Sequence, residues 1–163
     1  MKKAVIILGS SNSQGNTRIL VNSISEKMSI DVIDLKKYTI NHFDYKSQSD
    51  DYISLITNLI DNYDTFIFAT PVYWYAMSGI LKSFFDRLTD LLTIQKDIGR
   101  RLRGKNMIVI TSAANDNLGK LFFLPFKKTA EYLGMPFLGG IHTLENNDHS
   151  KEIEKIINLI PNH

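Results

Sequence analysis

Residues 4–17 read AVIILGSSNSQGNT, a short apolar run that breaks into a loop of glycine, serine and asparagine. Ala4–Leu8 predicts a buried strand. Beyond the loop Leu20, Ile24 and Met28 recur at intervals of four, one face of a helix. A strand thus runs into a helix through a polar turn, and the same unit repeats along the chain. Ile30–Leu35 predicts a second strand, and Ile53, Ile56 and Ile60 stripe a second helix. Thr65–Ala69 predicts a third strand, followed by a helix striped with Leu81, Phe84, Phe85, Leu88 and Leu92. Met107–Ile110 predicts the fourth strand; Phe126, Ala130 and Leu133 mark a helix that Gly134 and Pro136 end. Phe137–Ile141 is the last strand, and Ile153, Ile156, Ile157 and Ile160 mark a closing helix. The polar stretch Thr39–Ser49 predicts a surface loop. Strand and helix alternating five times predict an α/β fold, a doubly wound parallel sheet with helices on both faces. Right-handed crossovers then leave few topologies.

With 163 residues, no linker and no internal repeat, one domain over 1–163 suffices. There is no cysteine, which removes disulfides, thiolate metal sites and cysteine nucleophiles and fits a reducing, cytoplasmic compartment. No apolar stretch approaches the roughly 20 residues that span a bilayer, and Ala4–Leu8 is too short for a signal peptide. The net charge is +2 and the basic residues are scattered. Their densest cluster, Arg100, Arg101, Arg103 and Lys105, reads as a solvated connection rather than a nucleic-acid patch. The pattern predicts no membrane and no nucleic-acid partner.

Two loops are richer than connectors need to be. Gly9–Thr17 holds nine residues, six of them Ser, Thr or Asn, where a βα turn needs about two to six. It opens a helix whose first N–H groups and dipole suit an anion, and Gly9 and Gly15 would let it turn tightly. No basic residue lies within it, so a phosphate would be held by dipoles and hydroxyls. The plainer alternative is an ordinary turn capped by Asn16 or Thr17. No GxGxxG or Walker loop is present. The second loop, Thr70–Gly79, carries Tyr73, Trp74 and Tyr75 in succession. Such rings form a satellite core, a dimer contact or the walls of a slot for a flat ligand. Pro71 would stiffen the slot, and Gly79 would permit a close approach at the helix start. In strand order 2-1-3-4-5 these loops follow neighbouring strands and flank the switch point where doubly wound sheets bind ligands. The inferred ligand is a mononucleotide with a planar head.

GSSNSQGNT and TPVYWYAMSGILKSFFDRL together resemble the NAD(P)H-dependent FMN reductases of the flavodoxin-like superfamily, and the resemblance covers most of the chain. It implies that Ser10, Asn12, Gln14, Gly15, Asn16 and Thr17 hold the FMN phosphate, and that Pro71, Val72, Tyr73 and Trp74 run along the isoalloxazine edge. It also implies that Ser112 and Ala113, in the loop Thr111–Gly119, touch the flavin's other side, where a polar turn before a helix near Pro125 is the plainer reading. Members of the family that carry Arg two residues after the first loop serine use it on the phosphate; Asn12 stands there in this chain. The resemblance implies NADH or NADPH as co-substrate, with hydride transfer from nicotinamide C4 to flavin N5, tuned by the Val72–Trp74 backbone. The reduced flavin would then pass its electrons to a quinone, flavin, azo or nitro compound. A homodimer through the third helix and the Arg100–Arg103 region is also implied.

No catalytic acid, base, nucleophile or metal site is expected. Asp86 and Arg87 point about 100° apart and need not pair. His142 could approach a substrate over the flavin or be an ordinary packed residue, Asp50-Asp51 reads as a helix N-cap, and Lys127-Lys128 as a solvated face. The competing functions are a flavodoxin-type electron carrier without nicotinamide oxidation and a non-catalytic nucleotide-binding module.

Overall fold

The computed structural model describes residues 3–46, 49–116, 118–119, 121–145 and 148–161. Strands β1 (Ala4–Leu8), β2 (Asp31–Asp34), β3 (Thr65–Pro71), β4 (Asn106–Ala113) and β5 (Phe137–Leu144) form one parallel sheet in the order β2-β1-β3-β4-β5. Helices α1 (Asn16–Met28) and α7 (Ser150–Leu159) cover one face. The other carries α2 (Tyr52–Asn62), α3 (Gly79–Asp86) and α6 (Leu124–Leu133). The expected α/β doubly wound architecture is what the chain forms.

Alternation within each strand divides the core in two. Val5, Ile7, Phe66, Phe68, Met107 and Val109 pack towards α2, α3 and α6. Ile6, Leu8, Ile67, Ala69, Ile108 and Ile110 pack towards α1 and α7. Every residue of β1 is buried, which is why its sequence is an unbroken apolar run.

Three strands run past their apolar stretches at the carboxyl end. The added residues include Thr70, Thr111, Ser112 and Thr143, all buried although polar. Hydrophobic patterning stops short of them because they belong to the ladder but not to the oily core. At Gly134, φ is +69°, and the Met135 N–H returns to Ala130 O at 2.8 Å, ending α6 as expected. Pro125 stands in its first turn.

The third helical stretch is not one helix. After α3 comes a 3-10 turn (Arg87–Thr89), then α4 (Asp90–Thr93) and α5 (Lys96–Arg100). Leu81, Phe84, Phe85 and Leu88 are buried as their stripe requires, whereas Leu92 is exposed beyond the break. Arg87 sits at the break, wholly buried. Its Nε donates to Asp90 Oδ2 at 2.6 Å, and its Nη1 to Asp50 Oδ2 at 2.5 Å and to Asn41 O at 3.2 Å. The guanidinium lies 4.8 Å from the centre of the Tyr52 ring. Burial works against the Arg87 charge, but the bonds to Asp50 and Asp90 outweigh it and raise its pKa. Burial likewise opposes the Asp50 carboxylate, and the Arg87 bond still holds it below its ordinary range. Asp86 points elsewhere and pairs with Lys82 at 2.6 Å.

The Asp50-Asp51 pair departs from a simple N-cap. Asp50, not the capping residue Asp51, accepts from the Tyr52 N–H at 3.1 Å. Asp51 turns back to the Thr39 N–H at 2.7 Å, and Asp50 also takes the Asn41 N–H. Both aspartates tie the irregular stretch after β2 to α2; Ser47 and Gln48 of that stretch lie outside the described residues. The basic connection before β4 is solvated as expected at Arg100, Arg101 and Arg103, with Arg100 paired to Asp97 and Arg101 to Asp61; Lys105 departs from this, its side chain largely buried and bonded to Tyr63 O and Asp64.

Candidate functional site

The loop after β1 and the loop after β3 lie side by side. Ser78 Oγ donates to Gly9 O at 2.6 Å and accepts from the Leu81 N–H, so one hydroxyl caps α3 and holds the first loop against it. The Ser78 N–H in turn donates to Thr70 Oγ1. Further out, Ser11 Oγ and the Tyr73 hydroxyl meet at 3.1 Å.

The first loop forms its own scaffold. Ser10 Oγ donates to Asn12 O and accepts from the Asn12 N–H, and Asn12 Oδ1 accepts from the Gln14 N–H. The α1 N-cap is Gly15, and no side chain caps the helix there. This corrects the alternative of a turn capped by Asn16 or Thr17: the leading amides of α1 are left for another acceptor. The glycines also work differently from the expectation. Neither Gly9 nor Gly15 has positive φ. Gly9 is there because a Cβ would stand 2.6 Å from Leu81 Cβ. Gly79, expected to allow a close approach, has no neighbour within 4 Å of an added Cβ.

Basic residues reach this loop from outside it. Lys36 Nζ donates to Ser11 O at 2.8 Å, and Arg18 Nε donates to Ser13 O at 3.1 Å. Buried Asp34 organises both: Oδ2 pairs with Arg18 at 2.6 Å, and Oδ1 caps the turn that carries Lys36. These three residues escaped the sequence reading. The usable signal was topological, since β2 beside β1 brings Asp34 level with Leu8.

The second loop is a tight hairpin. Tyr73 and Ala76 exchange both backbone bonds at 3.0 Å, and Trp74 and Tyr75 between them have φ of +49° and +64°. Two positive angles make this a type I′ turn, which normally uses asparagine and glycine. Bulky residues there are strained. Trp74 is 94% exposed and Tyr75 60%. The satellite-core reading is therefore excluded; these rings face outward, as a ligand wall or a protein contact would. The Val72 N–H is engaged by Ser112 O at 3.3 Å and the Tyr73 N–H by Ala76 O. That leaves Trp74 and Tyr75 as the amides of this hairpin open to a ligand.

The third loop leaves β4, the strand beside β3. Thr70, Thr111 and His142 are in register across β3, β4 and β5. Thr111 Oγ1 and both ring nitrogens of His142 are buried with no partner among the described residues. Burial lowers the His142 pKa, and Asp116 opposes this. Ala113 O accepts from the Glu145 N–H. Asn117 of this loop lies outside the described residues.

The donor set fits FMN. Uncapped amides and hydroxyls at the start of α1 suit a phosphate, and the exposed aromatics of the neighbouring loop suit a planar ring. No described His, Asp or Glu residues are grouped as a metal site would need.

The pattern defining the NADPH-dependent FMN reductase family matches residues 2–149. A Bacillus subtilis (strain 168) protein with the provisional name NAD(P)H-dependent FMN-containing oxidoreductase YwqN is 32% identical over 151 residues, spanning 84% of this chain and 82% of that protein. Among solved structures, the Trp repressor binding protein from B. subtilis superposes with a TM-score of 0.77 at 26% identity, covering 99% of both chains. An FMN-dependent NADH-azoreductase from Bacillus anthracis, in complex with FMN, shares the fold with a TM-score of 0.70 at 14% identity, over 99% of this chain and 100% of its own.

Proposed function

This chain belongs to the NADPH-dependent FMN reductase family and is an FMN-dependent NAD(P)H oxidoreductase; from that premise we propose which atoms carry the activity. Ser10, Asn12, Gln14, Gly15, Asn16 and Thr17 hold the FMN phosphate, Pro71, Val72, Tyr73 and Trp74 border its ring, and Ser112 and Ala113 close the far side. The observation that carries this is the uncapped start of α1 held beside the strained aromatic hairpin by the Ser78–Gly9 and Ser11–Tyr73 bonds.

FMN, when bound, supplies the two-electron chemistry between nicotinamide and acceptor. The protein orients and shields. The α1 amides and loop hydroxyls neutralise the phosphate, with Lys36 adding positive potential. The Trp74 and Tyr75 amides offer donors to the ring's polar edge. Their side chains form the outer wall against which a planar acceptor lies: a quinone, free flavin, azo or nitro compound.

Asn16→Asp tests the phosphate assignment. A carboxylate there favours the helix but repels an anion. The purified variant should fold and lack flavin absorbance, while the parent should be yellow and should bleach with NADPH under anaerobic conditions. Undiminished FMN in the variant would overturn the assignment.

A homodimer through the third helical stretch and the Arg100–Arg103 region is supported by exposed Leu92, with Tyr132 of α6, in one groove with Arg100 and Arg103. Sedimentation at micromolar concentration should give a mass of two chains. A cytoplasmic location, where reduced nicotinamides are supplied, suits this activity.

A further inference from the structure

We propose that the cavity between residues 35–42 and the start of α3 is a second ligand site, built for a flat aromatic ring that carries an anionic group. It has a volume of about 250 Å³ and is walled by Leu35, Tyr38, Ile40 and Ile80, with Lys36 and His42 as its polar members. Gly79 and Ser83 of α3 complete it. The volume is below the range for whole drug-sized ligands, so a one- or two-ring group fits and a dinucleotide does not.

The polar members assign the chemistry. Lys36 gives one N–H to Ser11 O, and an ammonium has three, so two remain for an anion. His42 Nδ1 lies 2.9 Å from Ser83 Oγ, whose single proton goes to Gly79 O. With that proton on Gly79 O, Nδ1 of a neutral His42 donates to Ser83 Oγ, and Nε2 is the ring nitrogen that would accept from an amino or hydroxyl group on the ligand.

Charge separates this cavity from the one at the end of β5. That one, about 380 Å³, is lined by Asp116, Asp148 and Glu152 with His142 and His149, and it repels an anion. Among the described residues the Lys36 cavity has no carboxylate in its lining. It also adjoins the flavin loops: Lys36 bonds the first, and Gly79 ends the second. Its place beside electron transfer rests on the reductase reading; its ligand chemistry does not.

Two molecules of the reaction contain such a group: the adenosine phosphate end of the nicotinamide donor, and an acidic aromatic acceptor. Gly79→Leu separates them, because its side chain enters open space at a helix start with ordinary φ. Adenosine 2′,5′-bisphosphate and naphthalene-2-sulfonate are titrated by calorimetry into protein with and without FMN. At least one should bind at one per chain. Gly79→Leu should weaken it about tenfold or more, some 1.4 kcal/mol, with the FMN spectrum and FMN affinity unchanged. His42→Phe, which cannot accept a hydrogen bond, should weaken the bisphosphate specifically if the adenine amine meets Nε2. A raised KM for NADPH in Gly79→Leu identifies the donor end; a raised KM for an aryl-sulfonate azo acceptor identifies the acceptor. Equal probe binding in parent and Gly79→Leu overturns the proposal, as does loss of FMN from Gly79→Leu. Failure of the parent to bind FMN sinks the reductase reading instead, and the FMN-free titration still decides the cavity.

Discussion

Two polar regions flank α3, and they are built on opposite terms. At its carboxyl end Arg87, Asp50 and Asp90 are buried together and bonded to one another, with Tyr52 stacked beneath the guanidinium. Near its amino end Thr111 Oγ1 and, one strand further on, both ring nitrogens of His142 are buried without partners among the described residues, and Trp74 and Tyr75 stand exposed on a strained turn. The first region closes on itself, save for Asp90 Oδ1 and the Tyr52 hydroxyl, and serves the fold. The second is left incomplete, which costs stability in the protein alone and is what a ligand can repay.

Arg87→Met gives the sharpest test of this contrast. It strands two buried carboxylates, and urea unfolding should report a loss of about 3–5 kcal/mol, with FMN affinity of the folded fraction little changed. A loss under about 1 kcal/mol would mean that water reaches the cluster and the contrast is false.

The second test lies in two glycines. Gly9→Ala drives a methyl group onto Leu81 and should cost about 1–3 kcal/mol, together with FMN affinity, because the phosphate loop must shift off α3. Gly79→Ala, with open space around the new methyl group, should unfold at the same urea concentration as the parent or slightly above it. Equal effects at the two positions would show that the loop is not held where it stands.

Trp74→Gly should move stability and function in opposite directions. Glycine relieves the positive φ and should stabilise the protein by about 1 kcal/mol, while flavin or acceptor binding weakens. A destabilised variant would show that the exposed indole supports the fold after all.

The smallest effect concerns pH. The His142 pKa is lowered by burial from an ordinary 6.5, so the unfolded chain binds its proton first as pH falls. Stability should therefore decline from about pH 6.5 downward until the folded pKa is passed, then level off. His142→Gln should flatten that decline in thermal melts at pH 7 and pH 5; an unchanged decline would remove the imidazole from this account.

Much of this was legible in the chain. Unbroken apolar runs such as Ala4–Leu8 and Met107–Ile110 announce central parallel strands, because burial on both faces removes alternation. The serine-rich and aromatic loops stood out because each exceeds what a turn requires. The breaks came where charge overrides periodicity. The Leu81–Leu92 stripe has a helical period throughout, yet the chain bends at Arg87, since a guanidinium inside the core must sit where its carboxylates are.

Residue order alone determined the strand–helix rhythm, the layers and the two loops that matter, because hydrophobic period and turn chemistry are local properties. Tertiary structure decided which distant groups share those loops: Lys36 and Asp34 arrive through β2 pairing with β1, Ser78 through α3 docking on Gly9, and His142 through β5. It also decided that Trp74 and Tyr75 face outward on a strained hairpin. These relations depend on register and packing across many residues of separation, and no local pattern encodes them.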